Sequence, residues 1–237
     1  MTHHADDADW TALTALKGTY DAFRDNYAPF IATGMVWLLP IVLLETMGVN
    51  GRVLVALEFL IGGLLLTGLA PSVAESLLGH PVPLRDCLLM TVTRLRPGSP
   101  VLAAVLPLAV AGALLLFVLP GIYLAAAWSV AVPAMSAEKL GVTAALRRSM
   151  ILTRGRLFRV GGALVLYAII VFFLIMGGKI LGVTIADPDD PFWPRVVGFI
   201  VDAIVLALTP CLTTALYALL RFDKEGITLE LVTDALH

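Results

Sequence analysis

Nine cationic side chains crowd two short stretches of this chain. Arg85, Arg94 and Arg96 lie in one, and Lys139, Arg147, Arg148, Arg154, Arg156 and Arg159 in the other. A guanidinium matches a phosphate in a two-pronged hydrogen bond. A cation at headgroup level gains about 1 kcal/mol from anionic lipid. The candidate headgroup site is therefore Arg85, Arg94, Arg147, Arg148, Arg154 and Arg156, with the hydroxyls of Ser149 and Thr153 and the backbone around Gly155 adding hydrogen bonds. The same charges also serve to fix orientation in a membrane and nothing more. A second candidate is the acidic pair Glu58 and Asp202, each set inside an apolar run. A charge in lipid is costly, so both must face protein, water or a nearby cation such as Arg52 or Arg195. They read as a structural ion pair, as a proton or cation relay, or as wet groups beyond a helix boundary.

Other chemistry finds little footing. His3, His4, His80 and His237 are scattered, and there is no CxxC and no HExxH. No metal or other cofactor is expected. Cys87 and Cys211 read as free thiols. Asp187, Asp189 and Asp190 would hold a divalent ion weakly, but Pro188 and Pro191 make a polar turn the simpler reading. With no phosphate-cradling glycine loop and no nucleophile–base set, no enzyme activity is expected.

The elements that must carry these residues are apolar helices. Hydrophobic residues make up 59% of the chain and charged residues 14%, too little polar cover for a soluble domain of 237 residues. An apolar helix of about 20 residues crosses the hydrocarbon. Six are expected, over 28–48, 53–78, 99–119, 121–138, 157–182 and 196–220. The tight connections at 49–51 and at Pro120–Gly121 make the fold an all-α polytopic bundle of three hairpins. Segment 1–27 precedes the bundle of 28–221, and 222–237 follows it.

Thirteen of the sixteen Lys and Arg residues fall in 1–27, 79–98, 139–159 and 221–237. The positive-inside rule places these segments, and both termini, in the cytoplasm. Trp193 suits the outer headgroup belt and Trp10 the inner interface. The polar, acidic start is no cleavable signal peptide, so the first span is expected to direct insertion.

Short amphipathic helices are expected on the cytoplasmic side near 84–95 and 142–153. One face carries Leu84, Cys87, Leu88, Thr91 and Leu95, and the other Val142, Leu146 and Met150. The two regions repeat at an offset of 62: Pro71 with Pro133, Gly79 with Gly141, Arg85 with Arg147, Thr91 with Thr153. Pro210 and the 223–226 segment hint at a third copy. Residues 8–26 form an amphipathic helix through Leu13, Leu16, Tyr20 and Phe23, either at the interface or folded back on the bundle. Pro40, Pro107, Pro133 and Pro210 fall in or near spans, where kinks serve transport or only packing. The pairs Gly62–Gly63, Gly161–Gly162 and Gly177–Gly178 suit close helix contact.

The stretch 119–164 resembles the signature of a bacterial family named for the membrane domain of glycerophosphoryl diester phosphodiesterase. The matching elements are Pro120–Gly121, Pro133, Glu138, Gly141, Ala145–Leu146, Ser149, Leu152–Thr153 and Gly155. Tyr217, Leu220, Arg221, Glu225 and Gly226 resemble its ending, so the likeness covers about 100–226. The resemblance implies a membrane fold in a bacterial inner membrane. It does not import the phosphodiesterase reaction, which in such proteins resides in a separate soluble barrel. The expected role is non-enzymatic, binding anionic phospholipid or organising the envelope, with a small transporter or channel using Glu58 and Asp202 as the alternative. Membrane lipids are the expected partners and nucleic acid is not. Self-association or another membrane protein stays open.

Overall fold

The structure, a computed structural model, describes residues 10–93, 98–185 and 192–227, with the side chains of 114–116 and 118 left aside. Arg94 and the Asp187, Asp189, Asp190 group lie outside the described residues. Within them the chain is all helix: α1 (Ala12–Asp25), α2 (Tyr27–Thr46), α3 (Gly51–Leu77), α4 (Leu84–Thr93), α5 (Ser99–Leu116), α6 (Val118–Trp128), α7 (Ala131–Ala137), α8 (Val142–Thr153), α9 (Leu157–Ile185) and α10 (Phe192–Glu225).

Five segments are long and apolar enough to cross a membrane: α2, α3, Leu119–Ala137 across α6 and α7, α9 and α10. Helix α5 is a further apolar helix packed along α6. Its 18 residues give about 27 Å of rise. Outward-facing Phe172, Phe173, Ile180 and Val183 give α9 the apolar face that lipid requires.

Several boundaries move from the sequence expectation, each for a local reason. The expected 121–138 span is broken at Ser129–Val130. Pro133 has no N–H for the Ser129 carbonyl, so the ladder loses a bond at this point. The turn between α5 and α6 is made by Phe117, whose backbone is extended, and not by Pro120–Gly121. Pro120 sits in the first turn of α6, where its missing N–H costs nothing. Helix α10 runs 34 residues, about 50 Å, and carries Asp223 and Glu225 well past the expected end at 220. The amphipathic pair appears close to where the charge and periodicity put it, as α4 and α8.

The bundle is tight at one end and open at the other. Residues 67–74 of α3, 131–137 of α7 and 210–217 of α10 are buried, each stretch holding a proline. Small residues let α4 and α5 approach α3. A Cβ on Gly68 would lie 2.5 Å from the Thr91 Cα, and one on Gly63 would lie 2.5 Å from the Ala103 Cα. Helix α1 folds back onto α3, α9 and α10. It does so through the small residues Ala15, Thr19 and Ala22, while Leu13 and Tyr20 face out. Trp10, expected at the interface, is 6% exposed and part of the core.

Candidate functional site

The basic belt divides into two sets. Arg148 donates from Nε to both carboxylate oxygens of Glu138, each at 2.8 Å, and from its terminal nitrogen to Glu225. Arg221 donates to the other Glu225 oxygen at 2.9 Å and to the Tyr217 hydroxyl at 3.2 Å. Tyr217 in turn donates to Glu138 at 3.1 Å. The loop closes on itself across the end of α7, the middle of α8 and the last turns of α10. Tyr217 is fully buried, with the Arg221 guanidinium 5.7 Å from its ring centre. Burial works against charge on Arg148, but Glu138 and Glu225 outweigh it and hold its pKa above the ordinary arginine value.

A second strap lies beside the first. Arg156 grips Asp223 with two donors at 2.8 and 3.0 Å. Lys224 donates to the carbonyls of Ile151 and Arg154 at 2.6 and 2.7 Å. Those carbonyls end α8 and have no helical donor, and a cation there also meets the negative end of the helix dipole. Gly155, at φ +83°, makes the turn into α9 in the left-handed region that other residues enter at a cost.

Ser149 and Thr153 are fully buried. Ser149 donates to the Ala127 carbonyl at 2.8 Å, and Thr153 to the Ser149 carbonyl at 2.9 Å and that of Ala127 at 3.4 Å. The break after α6 strips Ala127 of its helical donor, and the α8 hydroxyls replace it. These two hydroxyls therefore point away from any headgroup. Thr91 does the same in α4, donating to Cys87 at 2.7 Å, so the offset of 62 holds at Cys87/Ser149 and Thr91/Thr153. Burial pushes the Cys87 thiol up to about 11.

The second set faces out. Arg85, Lys139, Arg147 and Arg154 are exposed, with no side-chain hydrogen bond or ion pair among the described residues. Sequence reasoning could not separate these from Arg148 and Arg156. It also missed Asn26, which is buried between α1 and α2. Its amide donates to Ser76 at 2.7 Å and to the His80 carbonyl at 3.2 Å, and accepts from the Val82 N–H at 2.8 Å.

Glu58 and Asp202 stand apart from the belt. They line a cavity of about 620 Å³ walled by α2, α3, α5, α6, α7, α9 and α10. Its lining runs from these carboxylates to Ser129 and Thr213, and between them it is almost wholly apolar. The charges of Asp202 and Glu45 both reach Glu58. Arg52 and Arg195, the expected partners, pair with neither. Lys179 on α9 is the cation that Asp202 feels. Among the described residues neither Glu58 nor Asp202 has a hydrogen bond or salt bridge, and no group of three His, Cys, Asp or Glu side chains is placed to hold a metal ion.

A family model for the membrane domain of glycerophosphoryl diester phosphodiesterase matches residues 106–228, just over half of the chain. The chain belongs to this family. The match is to the membrane domain alone and includes no catalytic domain. Neither a curated protein nor a solved structure matches the chain. The family resemblance had singled out Glu138, Ser149, Thr153, Gly155, Tyr217, Arg221 and Glu225. They gather where α6, α7, α8 and α10 meet, as the residues that lock the amphipathic helix to the bundle.

Proposed function

We propose that this family member is a non-enzymatic, six-span protein of a bacterial inner membrane, with cytoplasmic termini, whose inner face gathers anionic phospholipid. The observation that carries this is the division of the belt. Arg148, Arg156, Arg221 and Lys224 are engaged within the protein, whereas Arg85, Lys139, Arg147 and Arg154 present free cations along α4 and around α8. Four such charges at headgroup level are worth together about 4 kcal/mol toward anionic lipid. The test is native mass spectrometry with defined lipids on a variant combining Arg85→Gln, Arg147→Gln and Arg154→Gln. It should keep its fold and lose retained phosphatidylglycerol but not phosphatidylcholine. Unchanged retention of the anionic lipid defeats the reading. Purified protein given glycerophosphodiesters with Mg²⁺ or Ca²⁺ should show no turnover, and turnover would refute the non-enzymatic part.

The cavity favours a second reading, that of a small transporter. A passage needs an intramembrane space that reaches its polar groups. The space beside Glu58 and Asp202 has that character, and the closed packing of the three proline-bearing stretches below it supplies one sealed end. Uptake into proteoliposomes tests this reading.

A further inference from the structure

We propose that the intramembrane cavity is a binding site for an amphipathic monocation, a single positive charge on a bulky apolar body. This deepens the transporter reading and rests on its cavity, but not on movement of the ligand across the membrane.

The size of the site comes first. A space of about 620 Å³ is that of a cleft for one drug-sized molecule. Its walls set the body of the ligand. Leu38, Leu66, Leu106, Val110 and Leu164 offer only apolar surface, and the polar share of the lining is small. Such walls reward burial of hydrocarbon or aromatic surface and give nothing to a polar body.

Charge sets the head. Glu58 and Asp202 lie on the wall two to three turns in from the starts of α3 and α10, and the charge of Asp202 reaches Glu58. Glu45 adds a third negative group in reach of Glu58, and Lys179 supplies one positive group in reach of Asp202. The local balance is negative. Phe59 also lines the cavity, and an aromatic face suits a cation. A neutral acyl chain would satisfy the apolar walls but offer nothing to the two carboxylates, which stand exposed. An anionic lipid would meet repulsion. A cation with an apolar body satisfies both parts of the lining at once. The paired carboxylates accept one charge and the walls accept the rest.

The probe is tetraphenylphosphonium, compared with tetraphenylborate, which has nearly the same shape and the opposite charge. Equilibrium dialysis uses the full chain in neutral nanodiscs, with empty nanodiscs subtracted. The phosphonium should bind at least about tenfold more tightly than the borate. Glu58→Gln and Asp202→Asn should each weaken it about fivefold or more and narrow the difference between the ions. Val110→Trp, which fills the cavity without touching charge, should weaken the phosphonium as well. Gel filtration and thermal melts confirm that each variant is folded. Because the two neutral variants remove unpaired carboxylates, they should melt no lower than the parent. Equal binding of the two ions, no saturable phosphonium binding, or full binding in the doubly neutralised variant overturns the inference. So does a co-purified lipid that the phosphonium fails to displace. Binding without proteoliposome uptake leaves this inference standing and removes only the transporter reading.

Discussion

Removing the Arg148 guanidinium tests whether α8 is locked to the bundle by charge. In Arg148→Met the apolar stem is kept and three donor contacts are lost, two to Glu138 and one to Glu225. The side chains of Arg148, Glu138 and Glu225 are 22%, 20% and 25% exposed, so the group is neither dry nor fully wet. Breaking a buried pair costs about 3–5 kcal/mol and a surface pair about 0–1. The intermediate setting gives about 2–3 kcal/mol. For a chain of this length that is a fall in melting temperature of about 4–12 °C. Arg147→Met, one residue away on the exposed side, should shift it by no more than about 2 °C. Thermal unfolding in one detergent reads both. A double-mutant cycle with Glu138→Gln should return a coupling of at least about 1 kcal/mol. Arg148→Lys should rescue poorly, since a single ammonium cannot fork across two carboxylates. Equal melts for the two arginine variants, or additive behaviour with Glu138→Gln, would refute the lock.

Five further outcomes follow. Ser149→Ala with Thr153→Val leaves the Ala127 carbonyl without a donor and should cost about 2–3 kcal/mol in the same melt, whereas headgroup ligands would lower lipid retention and spare stability. Asn26→Ala should cost about 1–3 kcal/mol, because it strands the buried Val82 N–H, while the Ser76 hydroxyl keeps its bond to the Ala22 carbonyl; a neutral result would place Asn26 outside the packing. Gly68→Val should cost more than Gly155→Ala, for which about 1 kcal/mol is expected from the left-handed backbone alone; the Gly68 Cβ must push α4 away from α3, and a reversed order in the melts would contradict that packing. Burial and a raised pKa make Cys87 slow toward iodoacetamide at pH 8, with the thiolate gained only near pH 11. Single cysteines at Pro188→Cys and Arg154→Cys should then label from opposite sides of the membrane; labelling from one side would overturn the orientation.

The sequence alone determined the class of protein and the order of its apolar helices, because run length and charge asymmetry are local properties that the bilayer reads directly. It placed α4 and α8 through periodicity and flanking charge, and it identified the family through Glu138, Ser149, Tyr217 and Glu225 without saying why those residues belong together. Tertiary structure decided what each polar group faces. Arg147 and Arg148 are neighbours of one type, yet one is free and the other holds two carboxylates, because the first lies on the outer face of α8 and the second meets the overlong end of α10. Ser149 and Thr153 face inward because the Ala127 carbonyl, in the last turn of α6 and 22 and 26 residues away in the chain, takes donors from them. Glu58 and Asp202 are 144 residues apart and became one acidic wall only when α3 and α10 packed side by side. Pairing across such distances depends on which helix faces meet, and a single chain of mostly apolar residues carries no local signal for that choice.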